Sequence, residues 1–134
     1  MLFTIIASGQ QVEKTLVKAF NLQGKQELVL DLDGIVEVSQ WENDIMRIQM
    51  QISVQTSSTM LKSMVRSGRY RLLSKEEGDK FIVYAPGTAS KGLNKNLNER
   101  IVYKIYVPEN VEVQVMDEIL STSGNASKTG SLRQ

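Results

Sequence analysis

The chain has no histidine and no cysteine among its 134 residues. Zinc sites of the usual kind, thiol chemistry, Ser-His-Asp triads and histidine acid/base catalysis are therefore excluded. Carboxylates, lysines, tyrosines and hydroxyls remain, so an enzyme is disfavoured rather than impossible. Disulfides are absent, which is compatible with the cytosol or with an oxidising space. There are two prolines, one tryptophan and no apolar run near the roughly 20 residues that a membrane-spanning helix needs. Nor is there an excess of either charge. Sixteen basic and fifteen acidic residues leave a net +1, against the basic excess usual in nucleic-acid binders. Length fits one domain able to bury roughly 65–70% of its unfolded surface.

What is present is alternation. Leu28, Leu30 and Leu32 share one parity, Val36 and Val38 keep it after Gly34, and Ile48, Met50, Ile52 and Val54 keep it after an Asn43-Asp44 turn. Strand side chains point alternately to opposite faces, so the pattern predicts strands near 27–32, 35–41 and 45–55 with one dry face each. Asp33-Gly34 between two such runs reads as a hairpin turn. Residues 12–22 read as an opening strand feeding this meander, with Gln23-Gly24-Lys25 as its turn.

A helix follows at about 57–68. Ser57 or Ser58 can cap it, and Met60, Leu61, Met64 and Val65 form a face that should meet the apolar parity of the strands. Gly68 is placed to end it, with Arg66 and Arg69 at its C-terminal side. Residues 70–73 and 81–84 read as a hairpin across a charged turn. The span 87–99 is polar, with flexible composition. Ile101, Tyr103, Ile105 and Val107 resume alternation, and Val111, Val113 and Val115 make a last strand after Pro108. From about Ser121 the chain is almost free of apolar residues, so 119–134 is expected to be a disordered tail.

Catalytic motifs weigh little. Leu28-Val-Leu-Asp-Leu-Asp-Gly34 superficially resembles the nucleophile strand of haloacid-dehalogenase-type phosphatases, which would make Asp31 the nucleophile and Asp33 the acid/base. Gly34 leads straight into another strand, however, where that fold needs a helix. Asp31 and Asp33 are too few for a calcium loop, and Gly87-Thr-Ala-Ser-Lys-Gly92 lacks the ending of a phosphate loop. No metal and no cofactor is expected. The aromatic residues Trp41, Tyr84, Tyr103 and Tyr106 are the candidates for a binding platform.

Met1–Gln10 admits two readings. It is either a first strand, or the back half of a secretory signal, apolar at Leu2–Ile6 and small at Ala7-Ser8-Gly9.

The steps Asp33-Gly-Ile-Val-Glu-Val-Ser-Gln-Trp41, Ile45-Met-Arg-Ile-Gln-Met50 and Ile105-Tyr-Val-Pro-Glu-Asn-Val-Glu-Val-Gln-Val115 resemble those of bacterial putative-adhesin (head-domain or GIN-type) domains of the cell envelope. The resemblance covers about 26–116. It implies an exported, non-enzymatic, periplasmic or extracellular protein and favours the signal reading of 1–10. Here the helix interrupts the repeated steps. The expectation is an all-β domain over 11–118, either a compact two-sheet sandwich or a short β-solenoid-like stack with one inserted helix. It would act as an adhesin-like binding or structural module, with a small-molecule or glycan binder using the aromatic platform as the alternative. Expected partners are an envelope protein or a glycan, not nucleic acid. A homo-oligomer through an edge strand, 14–22 or 111–115, is a further expectation.

Overall fold

The computed structural model describes residues 11–116. The signal-or-strand reading of 1–10 and the tail reading of 119–134 lie outside the described residues. Eight strands and two short helices follow in order: β1 (Gln11–Asn21), β2 (Glu27–Asp31), β3 (Ile35–Trp41), β4 (Ile45–Gln55), α1 (Ser58–Arg66), β5 (Leu73–Glu77), β6 (Lys80–Tyr84), α2 (Pro86–Lys91), β7 (Arg100–Pro108) and β8 (Glu112–Val115). They form two four-stranded sheets, β1-β4-β7-β3 and β5-β6-β2-β8. The all-β, two-sheet expectation holds.

Both architectures foreseen from the sequence are combined. β2 lies parallel to β6 in one sheet while β3 lies parallel to β7 in the other, so β2–β3 and β6–β7 stack as two coils. β8 follows β7 back into the second sheet and pairs parallel with the other side of β2. Antiparallel β1 and β4 extend the first sheet, and antiparallel β5 extends the second.

The meander expectation is corrected by this topology. β2 and β3 do not pair: Leu32-Asp33-Gly34 is a corner that carries the chain from one sheet to the other. Gly34 has φ +143°, and a Cβ there would sit 2.6 Å from the Ile101 carbonyl oxygen. Glycine is needed because the corner presses on the β7 backbone, not because a hairpin reverses. β3 and β4 share a sheet, with β7 between them.

Core and parity agree for the central strands. Met46, Ile48, Met50, Ile52 and Val54 of β4 and Ile101, Tyr103, Ile105 and Val107 of β7 are all buried, facing Leu28, Leu30, Phe81 and Val83 of the other sheet. Phe20 and Phe81 meet edge to face across the sandwich, centroids 6.0 Å apart. Val38 keeps the inner parity, opposite Ile105, yet is 38% exposed because β3 is an edge strand.

α1 joins the end of β4 to the chain leading into β5 and so crosses from sheet to sheet. Ser57 caps it, its hydroxyl accepting from the Met60 amide at 3.0 Å. Leu61 is buried and Met64 and Val65 pack partly against the core, whereas Met60, expected inward, is 49% exposed. The inward stripe is therefore Leu61, Met64 and Val65, with Met60 on its solvent side.

The hairpin expected from 70–73 is displaced. Its first strand is Leu73–Glu77, turning at Gly78, while Tyr70 and Leu72 are buried outside any strand. A charged edge strand resembles a turn in composition, since Ser74, Lys75, Glu76 and Glu77 are all exposed. The span 87–99, read as flexible, holds α2 and a 3-10 turn at Lys95–Leu97, and it ends on buried Glu99.

Candidate functional site

The four candidate aromatic residues fall in three places. Tyr103 lies in the core at 0% exposure, on the inner side of β7. Burial pushes its phenol pKa upward, and its hydroxyl has no hydrogen-bond partner among the described residues, although the Thr88 hydroxyl lies near it. Tyr84 is half-buried at the end of β6 on the outer face of the second sheet, where the Lys75 ammonium sits 5.3 Å from its ring centroid. Trp41 and Tyr106 come together on the outer face of the first sheet. Four residues therefore do not form one platform, but two of them form a pair.

That pair follows from register. On β7 the inward residues are Ile101, Tyr103, Ile105 and Val107, so Val102, Lys104, Tyr106 and Pro108 point outward. β3 runs parallel with Ser39 beside Tyr106 and Trp41 beside Pro108, which brings the Trp41 and Tyr106 rings to 5.3 Å at a tilt of 32°. Trp41 Nε1 donates to the Ile45 carbonyl at 2.9 Å, fixing the indole at the β3–β4 turn. Asn43 Oδ1 accepts from the Ile45 amide at 3.0 Å and shapes the same turn. Both rings are half-buried, each leaving a surface to solvent.

Around the pair no described residue covers the outer sheet face. Arg47 lies beside Tyr106 across β4 and β7, exposed and in no ion pair among the described residues. Gln49, Gln51 and Ser53 continue the β4 row, with Val17 and Ile45 exposed nearby. An indole and a phenol beside a guanidinium and a row of amides combine apolar stacking area with fixed hydrogen-bond donors and acceptors.

A second polar cluster was invisible to sequence reasoning. Glu99 is buried, and each of its carboxylate oxygens accepts two hydrogen bonds. Arg69 Nη2 reaches Oε1 at 2.5 Å and Nε reaches Oε2 at 2.9 Å. The Tyr70 hydroxyl donates to Oε2 at 2.6 Å and the Asn94 amide to Oε1 at 2.7 Å. Burial alone would raise the Glu99 pKa, but the bonds from Arg69, Tyr70 and Asn94 outweigh it and hold the carboxyl below its ordinary value. Burial and the Glu99 carboxylate together push the Tyr70 phenol up.

Glu99 also borders a shallow depression of about 530 Å³ lined by Glu13, Ser53, Lys95, Asn98 and Arg100 among others. General-acid work there would need a carboxyl raised toward neutrality, and the shift of Glu99 runs the other way. The cluster reads as a clamp that ties 87–99 to the chain after α1. Arg69 looked in sequence like a helix-end cation, and thirty residues separate it from Glu99 with no periodicity to connect them.

Among the described residues no group of acidic side chains is placed to hold a metal ion, and no helix is long and apolar enough to cross a membrane. No family model matches the sequence, and no curated protein matches it. Among solved structures, the chain is similar to a crystal structure described as a "putative cell adhesion protein" from Clostridium sporogenes, at 16% identity and a TM-score of 0.46. The match covers 78% of this chain and 46% of that one, so this chain spans less than half of that protein's length.

Proposed function

We propose that the protein is a non-catalytic, adhesin-like binding module of the cell envelope, and that the outer face of the β1-β4-β7-β3 sheet at Trp41 and Tyr106 is where it meets its ligand. The single observation that carries this reading is the position of the Trp41–Tyr106 pair. It is half-exposed on a sheet face that no described residue covers, next to Arg47, which is in no ion pair among the described residues, whereas Tyr103 is in the core and Tyr84 lies under Lys75. Half-buried aromatic rings set in a rigid sheet present large contact area at little entropic cost, which suits them as anchors.

A sugar ring is the ligand class this chemistry fits best. Its C–H face stacks on an indole, and its hydroxyls take the flanking amides and guanidinium. Export rests on the resemblance of residues 26–116 to envelope adhesin domains. The test is an array of neutral and acidic oligosaccharides probed with the full chain and with Trp41→Ala and Tyr106→Ala. Retained signal is expected only for the unsubstituted chain, with all three proteins equally folded. An array without signal, or signal unaffected by both substitutions, refutes the site.

A further inference from the structure

Among the described residues no further strand pairs with the four outer strands of the two sheets, and these edges are not alike. At one end of the sandwich β1 points Lys14 and Lys18 toward the inner side, opposite Ile52 and Ile48, with Lys18 Nζ donating to the Leu72 carbonyl at 3.2 Å. β5, at the same end, is Leu73-Ser-Lys-Glu-Glu77. Inward charge and a charged edge are devices that block strand addition. At the other end β3 and β8 have no inward charge and carry one outward carboxylate each, Glu37 and Glu112. Their inner positions are Val36, Val38 and Gln40 on one and Val113 and Val115 on the other, and Val38 and Val115 are 38% and 41% exposed.

We propose that this β3/β8 end joins the same end of a second copy of the chain, each edge pairing antiparallel with its counterpart about a two-fold axis. The occupant has to cover two edges at once, which a single extended segment cannot do and a second copy of the end can.

Registers exist in which charges do not collide. With Val38 opposite Val38 of the second copy, Glu37 faces Ser39, and Ile35 faces Trp41. On β8 the Glu112 and Met116 amides donate to Gln26 and Leu30 of the strand side at 2.8 Å each, so the alternate residues Val113 and Val115 turn their amides to the free edge. With Gln114 opposite itself, Val113 and Val115 exchange hydrogen bonds as a pair and Glu112 faces Met116.

The face is small. β3 spans about 23 Å and the sheets lie about 10 Å apart, a footprint of about 230 Å² on each copy and of the order of 500 Å² buried in total. That is below the roughly 1,200 Å² of stable complexes, so the association is weak and transient. Joined this way, the outer sheet becomes one eight-stranded face. It carries two aromatic pairs about 20 Å apart, each completed by Ile35 of the second copy, and a ligand with repeated units would be held by avidity.

The experiment is sedimentation velocity of the full chain from about 1 to 200 μM, with Val38→Lys and Val115→Lys, each of which repeats on this end the device that guards β1. The native chain should pass from monomer to dimer, both variants should stay monomeric with unchanged melting temperature, and Lys14→Ala should dimerise as the native chain does. Trp41 emission should shift to shorter wavelength as the dimer forms. A monomer throughout the range overturns the proposal, as does growth beyond a dimer. A dimer untouched by both lysine variants overturns it too. Hydrogen exchange at Val113 and Val115 in a monomer separates two failures. Protected amides would assign the end to another segment of the same chain, and open amides would leave it solvated.

Discussion

At the scale of single residues, Glu99 carries the sharpest consequences. Its side chain is 0% exposed and that of Arg69 15%, so removing the guanidinium strands a buried charge. Arg69→Ala should cost about 3–5 kcal/mol in chemical denaturation, more than any exposed ion pair in the molecule. The pH dependence has a definite sign. Because the folded carboxyl titrates below its ordinary 4.5, its stabilisation is complete above about pH 4.5 and is lost as pH falls through the lower folded value. Melting temperatures of the native chain should therefore drop in that acid window, and those of Glu99→Gln should drop less while starting lower at neutral pH. Equal acid slopes for the two proteins would show that Glu99 is not held as described. None of this was legible in the sequence. A carboxylate before a strand looks solvated, and the arginine that makes its burial possible lies thirty positions earlier.

At the scale of elements, strand parity was readable wherever a strand sits centrally. β4 alternates perfectly because both of its neighbours and the opposing sheet cover one face, and β7 does so for the same reason. Pairing was not readable. Asp33-Gly34 has hairpin chemistry in sequence, yet serves as a corner, because nothing local distinguishes a turn within a sheet from a step between sheets. The α1 helix gives a clean contrast. Leu61 is buried and Met60 half-exposed, so Leu61→Ala should cost about 2–5 kcal/mol and Met60→Ala no more than about 0.5 kcal/mol, by urea unfolding. Comparable losses at the two positions would mean the helix is turned differently. Gly87 supplies a second check at this scale. A Cβ there would lie 2.3 Å from the Arg69 carbonyl oxygen, and backbone cannot yield as a side chain can. Gly87→Ala should destabilise by about 1–3 kcal/mol. Gly92→Ala, whose Cβ would meet open space but whose φ is +73°, tests backbone strain alone. If Gly87→Ala proves neutral, α2 does not pack on Arg69.

At the scale of the whole molecule, the sandwich has two different ends and two different faces. One end is guarded by lysines and a charged edge strand, and the other exposes inner-face valines on both sheets. One outer face carries Tyr84 under Lys75, and the other carries Trp41 and Tyr106 in contact. Four aromatic residues could be named from the sequence as candidates. Only register decides which of them share a face, since Tyr103 and Tyr106 lie three residues apart on the same strand and so point to opposite faces. If this aromatic pair holds the ligand, the chain offers a direct probe of it, because Trp41 is its one tryptophan. Fluorescence of the full chain, excited selectively at tryptophan and titrated with oligosaccharides of neutral and acidic composition at one fixed protein concentration, therefore reads the surroundings of Trp41. Saturable quenching or a spectral shift is expected with at least one sugar class, abolished in Tyr106→Ala and unchanged in Tyr84→Ala. Binding detected by calorimetry that leaves Trp41 emission untouched would place the ligand elsewhere and contradict the proposed site.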